Sequence, residues 1–377
     1  MKISDFADAT DNNFNLIRLI CAWFVIVSHS YPLALGAEND TGDLLARLTG
    51  LPLSHLGVSI FFIISGFLIV RSAITGSGFL SYAISRAIRI FPALIVAILL
   101  SVAVLGPAVT SLSLEEYFSH RHTLAYLANN IWLFDGMVQY QLPGVFNENP
   151  YPNVVNGSLW TLPIEIQMYI ATAVGIFSIR VLFRKNYLLI YKIVVPFLTA
   201  VLIMICYQVP REWMISVAPV LPDTLKLAAT FGIGSSLYVL REYIPLKAGI
   251  LLVLALFYPV AGSLNLMELY ITLLLAYSVF WLAYIPSGAI RRFNYLGDYS
   301  YGLYIYAFPV QQLLAHYTTL SVIEMIISTT FITLAISVIS WHWLEKPAIS
   351  QKKNVIRLCL NVKGGIRIGR KKSVSEV

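Results

Sequence analysis

FNLIRLICAWFVIVSHSY, residues 14–31, decides the class of this protein. Apolar side chains fill the stretch on every face, and its only basic groups are Arg18 and His29. At about 1.5 Å per residue, a helix over 14–35 is long enough to cross the roughly 30 Å hydrocarbon core of a bilayer. Nine further stretches of the same kind follow, near 54–72, 88–106, 158–180, 187–207, 222–240, 246–262, 266–286, 296–316 and 321–343. Across all 377 residues, 58% are hydrophobic and only 12% charged. Mean hydropathy is +0.75. Soluble domains carry about 25% charged residues, so a water-soluble globule and a disordered chain are both excluded. The expectation is an all-α, polytopic membrane helical bundle of about ten transmembrane helices. Residues 1–13 read as a cytoplasmic N-terminal segment, 14–348 as the membrane domain and 349–377 as a basic cytoplasmic tail.

Charge sets the orientation. With the amino end in the cytoplasm, 22 of the 26 basic residues fall on the inner side, leaving Arg47, Arg121, Arg211 and Lys226 outside. This is the positive-inside pattern, and it places both termini in the cytoplasm. The net charge of +7 gathers largely after Trp343, in runs such as Lys352-Lys353 and Arg370-Lys371-Lys372. Such a tail suits anionic lipid rather than nucleic acid. Asp5, Asp8 and Asp11 precede the first span, whereas a signal peptide needs a basic leader, so that helix is read as uncleaved. Cys21, Cys206 and Cys359 form no disulfide framework. His120 and His122 lack further ligands at metal-binding spacing, so no metal is expected.

Residues 107–157 form a long outer stretch with Tyr117, Tyr126, Trp132, Phe134, Tyr140 and Tyr151 among Asn129, Asn130, Asn147, Asn149, Asn153 and Asn156. Aromatic faces with amides suit the C–H faces and hydroxyl rims of a sugar, and equally suit an interfacial aromatic belt.

Ionisable groups inside a span are costly and therefore mark function or helix pairing. Arg18 and His29 are eleven residues apart, which puts both on one helix face about 16 Å apart along the axis. In NGSLWTLPIEIQMY (156–169), Glu165 falls at a depth near that of His29 and needs a partner, for which a histidine or a tyrosine hydroxyl would serve. Ser65 and Gly66 in GVSIFFIISGFLI (57–69) either let helices approach closely or leave a slot for a thin ligand. Arg86 and Arg89 sit at i and i+3 at the inner end of the third span, a pair of guanidiniums suited to phosphates. Ser300, Tyr301 and Tyr304 present hydroxyls around Gly302.

In order, these motifs resemble the acyltransferase-3 family of membrane O-acyltransferases. The matches are Arg18-x10-His29, GVSIFFIISGF (57–67), SRAIRIFPA (85–93), SLWTLPIE (158–165), LGDYSYGLY (296–304) and WLEKPA (343–348). Ala307 stands where relatives often carry histidine before the proline. The resemblance implies a ten-helix fold in the cell (inner) membrane. It implies an acyl-CoA donor, usually acetyl-CoA, used as co-substrate from the cytoplasm with no resident cofactor. The acceptor is a glycan or lipid-linked sugar on the far side. It makes the Arg18/His29 pair essential and puts Arg86 and Arg89 on the donor side, with Arg71 or Arg18 as further phosphate contacts. The donor's arm would pass Ser65 and Gly66 toward His29 as general base, with Glu165 orienting the imidazole. Trp160, Ser300, Tyr301 and Tyr304 are the oxyanion or acceptor candidates. A homo-oligomer is compatible with the sequence. Two other readings remain: a transporter or flippase for a lipid-linked sugar, and a scaffold acting through its tail. The enzyme reading expects transfer to survive removal of residues 351–377.

Overall fold

The computed structural model describes residues 1–7, 11–39, 42–134, 136–263 and 266–360, so the basic run at 370–372 lies outside the described residues. Among the described residues the protein is all-helical, with one isolated bridge between Lys2 and Pro245. The long helices are α1 (Phe14–Leu35), α2 (Leu53–Thr75), α3 (Phe79–Val109), α4 (Thr161–Phe183) and α5 (Tyr187–Gln208). They continue with α6 (Leu221–Val239), α7 (Ala248–Leu256), α8 (Met267–Tyr284), α9 (Ser300–Tyr317) and α10 (Val322–Leu360). Each apolar stretch thus carries a helix. By length and composition, six helical runs among the described residues can cross a membrane, or seven if one bent pair counts as a span.

Three stretches differ from the sequence expectation, the tenth because its helical run continues past 343 to Leu360. The third helix starts at Phe79 rather than near 88, after Gly78, which puts Arg86 and Arg89 within the helix instead of at its end. The seventh stretch is two helices, Ala248–Leu256 and Tyr258–Ser263. Pro259 has no N–H for the Ala255 carbonyl, and the helix breaks there.

Helix α1 runs through the centre, packed against α2, α9 and α10, while α2 packs on α6 and α6 on α5. Small residues allow these close approaches. A Cβ on Gly57 would stand 2.6 Å from the Cys21 carbonyl oxygen. One on Gly66 would collide with the Phe231 carbonyl, and one on Gly234 with that of Ile63. Gly66 therefore faces the α6 backbone and is a packing residue, whereas neighbouring Ser65 lines a cavity. Polar locks add to the packing. Buried Asn13 donates to the Leu282 and Pro286 carbonyls at 2.9 Å each, pinning the start of α1 to the end of α8. Buried Asp43 accepts from Ser28 Oγ (2.8 Å) and from the Ala46 and Leu53 amides, closing the loop that joins α1 to α2.

The outer stretch is folded rather than open. Tyr117 and Tyr126 are buried, and Tyr117 donates to the Val102 carbonyl at 3.0 Å. Asn130 is bonded to Gln139, Asn149 to Gln312, and Asn156 to the Ile305 carbonyl. Those amides and rings hold the segment on the bundle, while Trp132 and Phe134 keep exposed faces. His120 and His122 also have a local use, since the His120 ring accepts the His122 amide as the cap of the helix Arg121–Trp132.

Candidate active site

One face of α1 reaches two cavities. Arg18 lines the larger, about 310 Å³, together with Ser65, Arg86, Arg89, Glu165 and Tyr301. His29 lines a second, about 180 Å³, with His55, Trp160, Asp223 and Lys226. The eleven-residue spacing thus delivers both side chains to polar space, each to a different chamber. Val58 and Tyr304 line both chambers and form the partition between them. The Tyr304 hydroxyl shares a 2.8 Å hydrogen bond with Thr161 Oγ1, and its ring stands edge-on to Phe61. The half-buried His29 ring meets Phe308 edge-to-face at 5.4 Å, one residue beyond buried Ala307.

The larger chamber holds a buried charge network. Asp298 pairs with Arg18 at 2.6 Å and with Arg89 at 2.5 Å, and Arg89 also faces Glu345 at 3.4 Å. Ser300 Oγ donates to Asp298 at 2.6 Å. The backbone is built for this. A π-turn, Trp341–Glu345, interrupts α10 and swings Glu345 inward, leaving its side chain 2% exposed. Gly297 takes φ +136, and a Cβ there would strike the Trp341 indole, so only glycine fits before Asp298. Arg89 lies between the Tyr301 and Trp341 rings, 5.9 Å from each centroid.

Several expected roles change with these placements. Glu165 does not meet His29: it lies in the other chamber, where it accepts from the Tyr169 hydroxyl and from Ser65 Oγ at 3.3 Å. Arg18 and Arg89 are matched by carboxylates and so are not free for an anion. The hydroxyls of Ser300 and Tyr301 are already donated, to Asp298 and to the Ile90 carbonyl at 2.9 Å, which withdraws them as oxyanion donors. Arg71 stands near the C-terminal end of α2 and does not line the chamber. Trp160, Tyr304, Ser65 and Arg86 do line the chambers.

The sequence reading assigned no role to Asp298, His55 or Asp223, and gave Lys352 only a place in the lipid-facing tail. Asp298 was legible as a lone acid inside the LGDYSYGLY motif beside two inner-end arginines. Asp223 and Lys226 sit at i and i+3 in the first turns of α6 and looked like ordinary boundary charges.

A membrane-type helical bundle with polar chambers on either side of a thin partition is an arrangement suited to group transfer. The acyltransferase-domain family model matches residues 11–342, and the chain belongs to the acyltransferase-3 family of enzymes. It is 29% identical over 364 residues to the O-acetyl transferase of Shigella phage Sf6, covering 92% of this chain and 98% of that protein. Over 165 residues it is 34% identical to Nodulation protein 10 of Rhizobium leguminosarum bv. viciae, 42% of each chain. No solved structure is significantly similar.

Proposed function

We propose that this O-acetyltransferase takes an acetyl group from cytoplasmic acetyl-CoA and passes it to a hydroxyl of an extracytoplasmic glycan or lipid-linked sugar, with His29 as general base. In this reading it sits in the inner membrane with ten spans and both termini cytoplasmic. The larger chamber, rich in arginine, faces the cytoplasm and the His29 chamber faces outward. One observation carries the reading: a single face of α1 presents a cation to one chamber and an imidazole to the other, with Tyr304 between.

The chemistry follows from those positions. The thioester end of the donor reaches the partition, and the acceptor enters beside Trp160, Asp223 and His55, a flat ring with polar groups at its rim that suits a sugar. His29 takes the hydroxyl proton as the oxygen attacks the thioester carbon. The C–O bond forms, the C–S bond breaks, and the imidazolium returns the proton to the departing sulfur. Tyr304 and Trp160 are the donors that remain for the oxyanion. Glu165, held by Ser65 and Tyr169, is an acceptor for amide N–H groups of the donor's arm rather than a partner of the imidazole.

The test is free-thiol release in membranes containing acceptor glycan. His29→Gln, with normal expression, is expected to lower turnover about 10²–10⁴-fold. Full turnover in that variant would remove His29 from the chemistry. A transporter of lipid-linked sugar would release no thiol at all.

A further inference from the structure

The larger chamber is lined by four cations, and the structure treats them as two pairs. Arg18 and Arg89 are matched by Asp298, with Glu345 added for Arg89. Arg86 and Lys352 line the same chamber, and neither has a carboxylate within ion-pair distance among the described residues. Arg86 rests its guanidinium 5.8 Å from the Tyr169 ring, and its buried Nε has no hydrogen-bond partner. Lys352 faces the same space, so two like charges share one wall of the chamber. It comes from the far end of α10, beyond residue 342 where the family match stops, and Ile349 lines the chamber one turn before it. Bringing two like charges together at one partly buried place, with an orphaned donor, is unfavourable unless an anion joins them.

We infer that Arg86 and Lys352 together form an anion clamp at the mouth of the donor chamber, and that its ligand is the phosphate end of the acyl-CoA. This rests on the donor assignment above and revises it in two respects. The phosphates are held by Arg86 with Lys352, not by Arg86 with Arg89. Arg18 and Arg89 instead brace the chamber wall. Position favours the donor over a lipid headgroup, because the clamp shares its chamber with Ser65 and Glu165, which line the way toward Tyr304.

The experiment measures the acetyl-CoA dependence of thiol release by the full-length enzyme in vesicles of zwitterionic lipid, and again with anionic lipid added. Lys352→Gln is expected to raise the acetyl-CoA KM roughly 10–100-fold, the loss of one charged contact. Its effect on kcat is expected to be much smaller, and Lys352→Arg should recover most of the KM. Neighbouring Lys353→Gln serves as control. Arg86→Gln should act in the same way, and the double variant should exceed either alone. An unchanged KM in Lys352→Gln overturns the clamp while leaving the transferase reading intact. A KM effect seen only with anionic lipid overturns it in favour of headgroup binding. If the unaltered enzyme releases no thiol from acetyl-CoA, the donor assignment itself fails, and that result is distinct from both.

Discussion

Tyr304 lines both chambers and its hydroxyl is tied to Thr161, so under the proposed function transfer takes place beside it. Tyr304→Phe keeps the partition and removes one donor, so kcat is expected to fall about 10–10³-fold with little change in acetyl-CoA KM. Thiol release over a donor titration separates the two parameters. The placement of His29 at a polar cavity was legible from the sequence, because an imidazole in an apolar span needs polar surroundings and its spacing from Arg18 fixed the shared face. Glu165 misled for a physical reason. Depth along a helix can be estimated from residue counts, but the direction in which a side chain points around the bundle depends on packing that one helix does not reveal. Glu165 does sit well inside the bundle, and of the two kinds of partner expected it has the tyrosine hydroxyl, that of Tyr169 on its own helix, with Ser65 Oγ from α2 added. Arg18 shows the same limit: it is on the predicted face, and the acid that neutralises it comes from 280 residues away.

Elements meet at the Asp298 cluster, where α1, α3, the start of α9 and the π-turn of α10 are joined by charge. Asp298→Asn leaves Arg18 and Arg89 without their shared carboxylate, and breaking a buried pair costs about 3–5 kcal/mol. The expected outcome is a clearly lowered unfolding temperature in detergent, read by thermal aggregation. Gly66→Val tests a different joint. Its side chain would run into the Phe231 carbonyl, so α2 and α6 should part and folded yield should drop. Helix positions were readable from hydropathy to within a few residues for most of the chain. The exceptions have local causes. The polar start of α3 hid its first nine residues, since hydropathy marks where a helix is apolar and not where it begins. Pro259 split α7 from the helix after it. Close helix contacts at Gly57 and Gly66 follow from small residues, but which neighbour each meets is settled by the whole bundle.

At the scale of the molecule, two polar chambers meet at Val58 and Tyr304, and the proposed function assigns one substrate to each. The composition already required a membrane bundle, and the order of motifs along 14–348 carried the family. The part of the chain after Ser350 was read as dispensable for transfer. Lys352 lines the larger chamber, and the proposed clamp therefore changes that expectation. Truncation after Ser350 is now expected to raise the acetyl-CoA KM as Lys352→Gln does, whereas truncation after Leu360 retains the clamp. The most direct test of the central claim uses sealed vesicles of known sidedness, with acetyl-CoA supplied to one face and acceptor glycan to the other. Acetylated glycan is predicted only when acetyl-CoA meets the Arg86 face and the acceptor meets the His29 face, and the product should vanish in His29→Gln. Transfer with both substrates supplied from the Arg86 face alone would contradict the account.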